Sequence, residues 1–428
     1  MKKIFIYITT VIFLISSIKF DVHAMPEPPK VSADGAVLMD GNSGEILYEK
    51  NMDAAYPPAS TTKLMTALLT LENCKLNDKV KTSDDFTKKY LALRDGNTIN
   101  VGDGEEFTVH DLLYALLLIS ANDSAVALAE HISGSPEAFA KLMNKRAAEL
   151  GCTDTNFKNP NGLFDKDHKT SAKDLALIMR ELSKNPEYKT ISTTLNYEMA
   201  PTNKMDAAQT KKSRNFWNED KLVYKNSRCY YDGCIGGKAG YTIQSLHSFV
   251  SVASRGNEKL VVAFIHSKDK TFYDDTKALF DYGFNNYEQK KLFSKGDAVQ
   301  NYYADDMKIP LIATEDYYYL VPKGSNPKIK YSIPNNSLKE KYFKKGQQIL
   351  AANVFIDGKK VAEPLKLSSG IDNLKSKDKT IISGYSYDNY KTYIGYGLLC
   401  LLLIAGGAAA VILKKKKEKK DSDIDLYL

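Results

Sequence analysis

Three short stretches of this 428-residue chain hold residue types that can activate a hydroxyl or hold an anion: Ser60-Thr-Thr-Lys63, Ser120-Ala-Asn122 and Lys238-Ala-Gly240. In the first, two prolines (Pro57, Pro58) stop the chain and a helical pattern starts at once, which places Ser60 at the N-cap position. Lys63 then lies one turn along the same face. A capping box would carry Glu or Gln at that position, and a cation in the first turn opposes the helix dipole. If Lys63 is buried beside Ser60, desolvation and the dipole both lower its pKa, as suits a base for a hydroxyl nucleophile. No histidine adjoins these stretches in sequence to take that part. Ser120 and Asn122 are polar residues closing a nearly all-apolar run, although both are also ordinary helix punctuation. Lys238 stands among Gly233, Gly236, Gly237 and Gly240. A substrate ending in a carboxylate would want such a fixed cation with no acid nearby.

The elements that must position these residues follow from periodicity. Gly35–Asp40 and Glu45–Glu49 read as strands around the turn Gly41–Gly44. Thr82–Asn100 gives weak signals. Thr108-Val-His-Asp111 fits a capping box, and Leu112–Ile119 a fully buried helix. Amphipathic helices follow over Asp123–Ile132 and Pro136–Leu150. Asn159-Pro-Asn-Gly162 is a turn, and Thr170 or Ser171 caps a further helix. Gly236–Gly240 fits an edge strand that a ligand backbone can approach. His247–Ser254 alternates as a strand, Lys259–His266 is a second strand, and Thr271–Phe284 is a closing helix. The expected fold is α/β (α+β): one antiparallel sheet of about five strands flanked by helices, with a largely helical block inserted. Beyond it, Ala298–Tyr303, Tyr317–Val321, Ile329–Ile333, Gln347–Phe355 and Lys360–Leu367 predict a small all-β domain.

The two ends carry the topology. Residues 1–24 read as a signal peptide: Lys2 and Lys3, the apolar Ile4–Ile18, and a small-residue cleavage site at Val22-His23-Ala24. Ile394–Leu413 is long enough and apolar enough to cross a bilayer. Tyr390, Tyr393 and Tyr396 mark its outer edge and Lys414–Lys417 its cytoplasmic one. The expected organisation is a signal peptide (1–24), a catalytic domain (25–287), the β domain (288–368), a linker (369–391), a transmembrane helix (392–413) and a basic tail (414–428). That puts the body outside the cytoplasm on a single-pass anchor. Much of the net charge of +7 lies in the tail lysines, so no nucleic-acid partner is implied. Of five cysteines, Cys229 and Cys234 are close enough in sequence to bridge. No Cys/His spacing indicates a metal, and no cofactor is expected.

Taken in order, the three stretches resemble the S-x-x-K, S-x-N and K-T-G motifs of penicillin-binding proteins and serine β-lactamases. Leu38-Met-Asp-Gly with Glu45–Lys50, Asn159–Leu163, Thr170–Leu175 and Asp281–Phe284 look like the low-molecular-weight D-alanyl-D-alanine carboxypeptidases. The resemblance covers about residues 30–285. It implies a penicillin-binding-protein fold, a mixed sheet between helices beside an all-helical lobe, and a cell-wall hydrolase that removes the terminal D-alanine of peptidoglycan pentapeptides and is acylated by β-lactams. It implies these roles: Ser60 as nucleophile, Lys63 as general base, Ser120 as proton relay, Asn122 holding the peptide backbone, Lys238 binding the terminal carboxylate, Thr242 lining the same strand, and the backbone N–H groups of Ser60 and Tyr241 as oxyanion hole.

One position departs from the pattern. Ala239 stands where the family usually has Thr, so a hydroxyl donor to the carboxylate is missing. Thr242 is one candidate replacement. The family's second basic residue would be Lys268 or Lys270. Two alternatives follow: a catalytically weak penicillin-binding wall protein or sensor, or a β-lactamase. The latter wants a Glu near Asn159–Leu163, where there is none.

Overall fold

A computed structural model describes residues 25–374 apart from positions 95, 305–306, 335–337, 339–340 and 362. The signal-peptide and transmembrane expectations lie outside the described residues. Among those described, no helix is long and apolar enough to cross a membrane.

The sheet has five strands: β1 (Gly35–Asp40), β2 (Ile46–Lys50), β3 (Cys234–Thr242), β4 (Leu246–Arg255) and β5 (Glu258–Ser267), in the order β2-β1-β5-β4-β3. Every pairing is antiparallel, so the sheet is not mixed as the resemblance implied. A strand's two-residue period explains why β1 and β5 read as unbroken apolar runs. Val37, Met39, Val261, Ala263 and Ile265 face one core, while Ala36, Leu38, Leu260, Val262 and Phe264 face a second. Both faces are covered. A helical lobe packs on the first and helix Phe272–Asn286, through Leu279, Phe280 and Phe284, on the second.

Three helices of the lobe matter for the site. The first, α1 (Lys63–Asn73), buries eight of its residues. The second, α2 (Val109–Leu118), is buried almost all round, as its composition predicted. Its N-cap is Thr108, whose hydroxyl accepts from Asp111 N–H. The third, α3 (Asn122–Ser133), begins directly after α2 ends. Downstream, Ser171 rather than Thr170 caps helix Ala172–Leu182.

The chain divides into two compact units. Among the described residues, one holds residues 25–294, Glu315–Pro334 and Ala352–Leu365; the other holds Lys295–Thr314, Asn335–Ala351 and residues 366–374. In the first, Tyr287–Phe293 pairs with Tyr317–Pro322, and Ile329–Ser332 pairs with residues 353–356. In the second, Met307–Ala313 pairs with Ala298–Ala304 and with residues 367–369. Strands Tyr287–Phe293 and Met307–Ala313 were not foreseen from the sequence. The latter contains Pro310, which lacks an N–H and normally argues against a strand. Cys74, Cys152, Cys229 and Cys234 are free thiols, so Cys229 and Cys234 are not bridged.

Candidate active site

Ser60 is not an N-cap. It lies inside a short 3₁₀ turn, Ala59–Thr62, which leads into α1, and no side-chain cap bond forms there. The turn is held in an unusual conformation, with Ala59 at a φ of +51°. Its supports are specific. Thr61 and Thr62 hydroxyls donate back to the Pro58 and Ala59 carbonyls, each at 2.8 Å. Gly162 packs so tightly that a Cβ there would fall 1.9 Å from the Ala59 carbonyl oxygen. On the other side, a Cβ on Gly240 would lie 2.7 Å from the Ser60 backbone nitrogen. Gly240 therefore serves the approach of β3, the edge strand, to the Ser60 turn. The sequence had assigned that closeness to a ligand.

Lys63 is fully buried at the start of α1. Its Nζ lies 3.0 Å from Ser60 Oγ, 2.8 Å from Asn122 Oδ1 and 2.6 Å from the Asn161 carbonyl oxygen. The last two partners can only accept. A neutral amine spends its two N–H groups on them and turns its lone pair toward Ser60 Oγ, a hydroxyl able to donate. Burial drives the Lys63 pKa well below the ordinary lysine value, and the Lys238 charge lowers it further. Asp123 and Glu219 pull the other way.

Ser120 joins α2 to α3 at a φ of +64°, a left-handed conformation uncommon outside glycine. Its hydroxyl is buried and has no hydrogen-bond partner among the described residues. The next residues fix the loop across the site. Asn122 N–H donates to Asn97 O at 2.7 Å, and the buried Asp123 carboxylate accepts from the N–H groups of Ile99 and Val101.

Lys238 is buried on β3, and burial pushes its pKa down to about 8 against the support of Glu219 and Asp220. It borders a small void shared with Asp220, Phe249 and Tyr273. The main cavity, about 530 Å³, is lined instead by Ser60, Ser120, Asn122, Ala239, Tyr241 and Thr242, among others. Thr242 is tied into the β3–β4 turn: its hydroxyl lies 2.6 Å from Ser245 Oγ and accepts from Ser245 N–H. Strand alternation also puts Thr242 on the face of Lys238 and Gly240, not of Ala239. It is a poor replacement for a hydroxyl at position 239.

The sequence reading left one member open and missed others. Of Lys268 and Lys270, its two candidates for a second basic residue, Lys270 lines the cavity. Glu219 and Lys221 line it too, so an acid does stand near the cations. The turn Asn159–Gly162 was visible, but the contact of its Asn161 carbonyl with Lys63 was not, because a backbone oxygen has no residue signature. His168 is a further case. It is buried, accepts from Lys158 N–H at Nδ1 and lies 2.8 Å from Thr62 Oγ1 through Nε2. Since Nδ1 accepts, Nε2 carries the proton and donates to Thr62. Burial lowers the His168 pKa to about 4.

Residues 22–269 match the family model described as D-alanyl-D-alanine carboxypeptidase, and residues 287–379 match that of the penicillin-binding protein 5 C-terminal domain. The chain is 34% identical over 344 residues to D-alanyl-D-alanine carboxypeptidase DacF of Bacillus subtilis, covering 77% of this chain and 83% of that protein. It is 28% identical over 376 residues to DacC of Escherichia coli, covering 84% and 90%. Among solved structures, penicillin-binding protein 5 from Haemophilus influenzae aligns with a TM-score of 0.64 at 28% identity, over 82% of this chain and 100% of that one. The fold is that of penicillin-binding protein 5, with its C-terminal β domain. A buried lysine placed against a serine in that fold, together with a family model spanning more than half of the sequence, leads to one assignment: the chain belongs to the serine D-alanyl-D-alanine carboxypeptidase family.

Proposed function

We propose that the chain removes the terminal D-alanine from peptidoglycan stem pentapeptides through an acyl-enzyme on Ser60. The observation that carries this is the environment of Lys63, whose amine is buried, depressed in pKa and aimed at Ser60 Oγ. In this reading neutral Lys63 takes the Ser60 proton as Oγ attacks the carbonyl of the D-Ala–D-Ala bond. The Ser60 and Tyr241 N–H groups receive the developing oxyanion. Ser120 passes a proton to the departing D-alanine nitrogen, and water then releases the shortened peptide. Asn122 positions Lys63 and the substrate backbone. Lys238 acts through its charge, and Lys270 on the cavity wall meets the terminal carboxylate. Thr242 shapes the turn beside it. A β-lactam would acylate Ser60 by the same first step. No cofactor enters.

The proposal includes the setting. The apolar run Ile394–Leu413 followed by four lysines, and the N-terminal leader, support a single-pass membrane protein with its catalytic domain outside the cytoplasm.

A second reading, a slow enzyme that mainly binds or senses penicillin, is favoured by Ala239 and by the Glu219 carboxylate in the cavity. Fluorescent penicillin labelling and D-alanine release separate the two. Labelling of wild type but not Ser60→Ala, with D-alanine released from a diacyl-D-Ala-D-Ala peptide, supports the carboxypeptidase. Labelling without release supports the sensor, and equal labelling of Ser60→Ala rejects the nucleophile.

A further inference from the structure

We infer that Cys74, Asp78 and His131 form a binding site for a divalent transition-metal ion of the zinc type. Their sulfur, carboxylate and imidazole donor atoms all lie within 4.8 Å of one another. Tetrahedral zinc with bonds of about 2.0–2.3 Å holds its ligands roughly 3.5 Å apart. The cluster thus needs about an ångström of closure, within the reach of side-chain rotation at an exposed histidine.

The placement favours a cation independently of the donors. Cys74 is the C-cap of α1, and His131 lies in the last turn of α3, which ends at Gly134 in a left-handed cap. Two helix C-termini, each with partial negative charge, therefore meet at the cluster. Asp78 is already anchored: its carbonyl accepts from Val109 N–H at 3.0 Å and its carboxylate from Lys75 N–H at 2.8 Å. Sulfur, nitrogen and oxygen together select a borderline ion such as zinc or cobalt over magnesium or calcium. His131 is exposed, which provides an entry path and leaves a coordination position for water. The cluster was invisible in sequence because its third member belongs to another helix.

The site would act on stability and stand apart from the Ser60 chemistry. The 11 residues of α1 put it about 16 Å from the Ser60 end. It pins the far ends of the two helices whose near ends carry Lys63 and Asn122. The inference stands without the catalytic assignment.

Cobalt(II) added to chelator-treated full-length protein is the direct probe. One equivalent should bind with a thiolate-to-cobalt charge-transfer band, and zinc should displace it. Cys74→Ser should abolish the band. His131→Ala, at an exposed position, should weaken cobalt binding at least tenfold while penicillin labelling of Ser60 is kept. Zinc, but not magnesium, should raise the melting temperature of wild type and not of His131→Ala. Absence of the band in wild type overturns the site. So does a band that survives Cys74→Ser, which would place the metal on another thiol. Equal zinc stabilisation of wild type and His131→Ala has the same force, and this comparison still decides if Cys74→Ser fails to fold.

Discussion

Lys63 Nζ lies 3.0 Å from Ser60 Oγ, while its other two partners, Asn122 Oδ1 and the Asn161 carbonyl, can only accept. That arrangement assigns the third direction of the nitrogen to the hydroxyl. A buried ammonium would gain three hydrogen bonds there but lose its hydration, and burial wins in the direction of the shift.

Lys63→Arg tests the lone pair separately from the charge. Guanidinium stays protonated and cannot accept the Ser60 proton. Acylation by penicillin should fall by roughly 10²–10⁴, the usual worth of a general base. Stopped-flow labelling at saturating penicillin reads it. A loss under about tenfold would mean that Lys63 supplies charge and not basicity.

Much of this centre was legible, but unevenly. The gathering of Ser60, Lys63, Ser120 and Asn122 was legible because side-chain types at fixed spacing carry chemistry, whereas Lys238, expected to bind the carboxylate, borders a separate void. The sheet was legible because β1 and β5 carry unbroken apolar runs and β4 alternates. What failed was whatever depends on contact across the fold. Ser60 looked like a cap because a 3₁₀ turn and a cap share the same short polar residues. The acid Glu219 lies outside every motif, yet it lines the cavity. His168 has an ordinary loop sequence, and only folding sets it against Thr62.

Lys238 sets an alkaline limit. Its pKa is lowered to about 8 by burial, so the cation fades as pH rises through that value. KM for D-alanine release should rise above that pH as the site loses a positive charge that helps draw the substrate carboxylate toward Lys270. Arginine keeps its charge throughout this range, so Lys238→Arg should flatten that limb even if it lowers the rate overall. A limb unchanged in Lys238→Arg would assign it to another group.

His168 should make stability acid-sensitive. Its folded pKa, about 4, lies below the ordinary value of 6.5, so the unfolded chain takes up the proton first. The contribution is complete above pH 6.5 and drains away as pH falls toward 4, up to roughly 3 kcal/mol by linkage. His168→Gln removes that titration. Urea midpoints measured down this window should fall less steeply for His168→Gln than for wild type. Parallel slopes would show that acid loss comes from other groups.

In the proposed reaction Ala239 and Glu219 would both weaken the hold on the terminal carboxylate. Ala239 lacks a hydroxyl that could donate to it, and Glu219 lines the cavity that it must enter. Restoring one hydrogen bond to a charged group is worth about 1.5–3 kcal/mol, so Ala239→Thr should raise kcat/KM for D-alanine release by roughly 10- to 100-fold. Glu219→Gln should also raise it. Removing that carboxylate lets the pKa of Lys63 and Lys238 fall further, because it holds both up. The acid limb of acylation should therefore move to lower pH in Glu219→Gln but stay in place in Ala239→Thr. If both variants act on one carboxylate, their combined gain will fall short of the product of the separate gains. A fully multiplicative double variant would show that Glu219 acts on the lysines alone. No gain from Ala239→Thr would mean that Lys270 already meets the carboxylate fully and that the missing hydroxyl costs nothing.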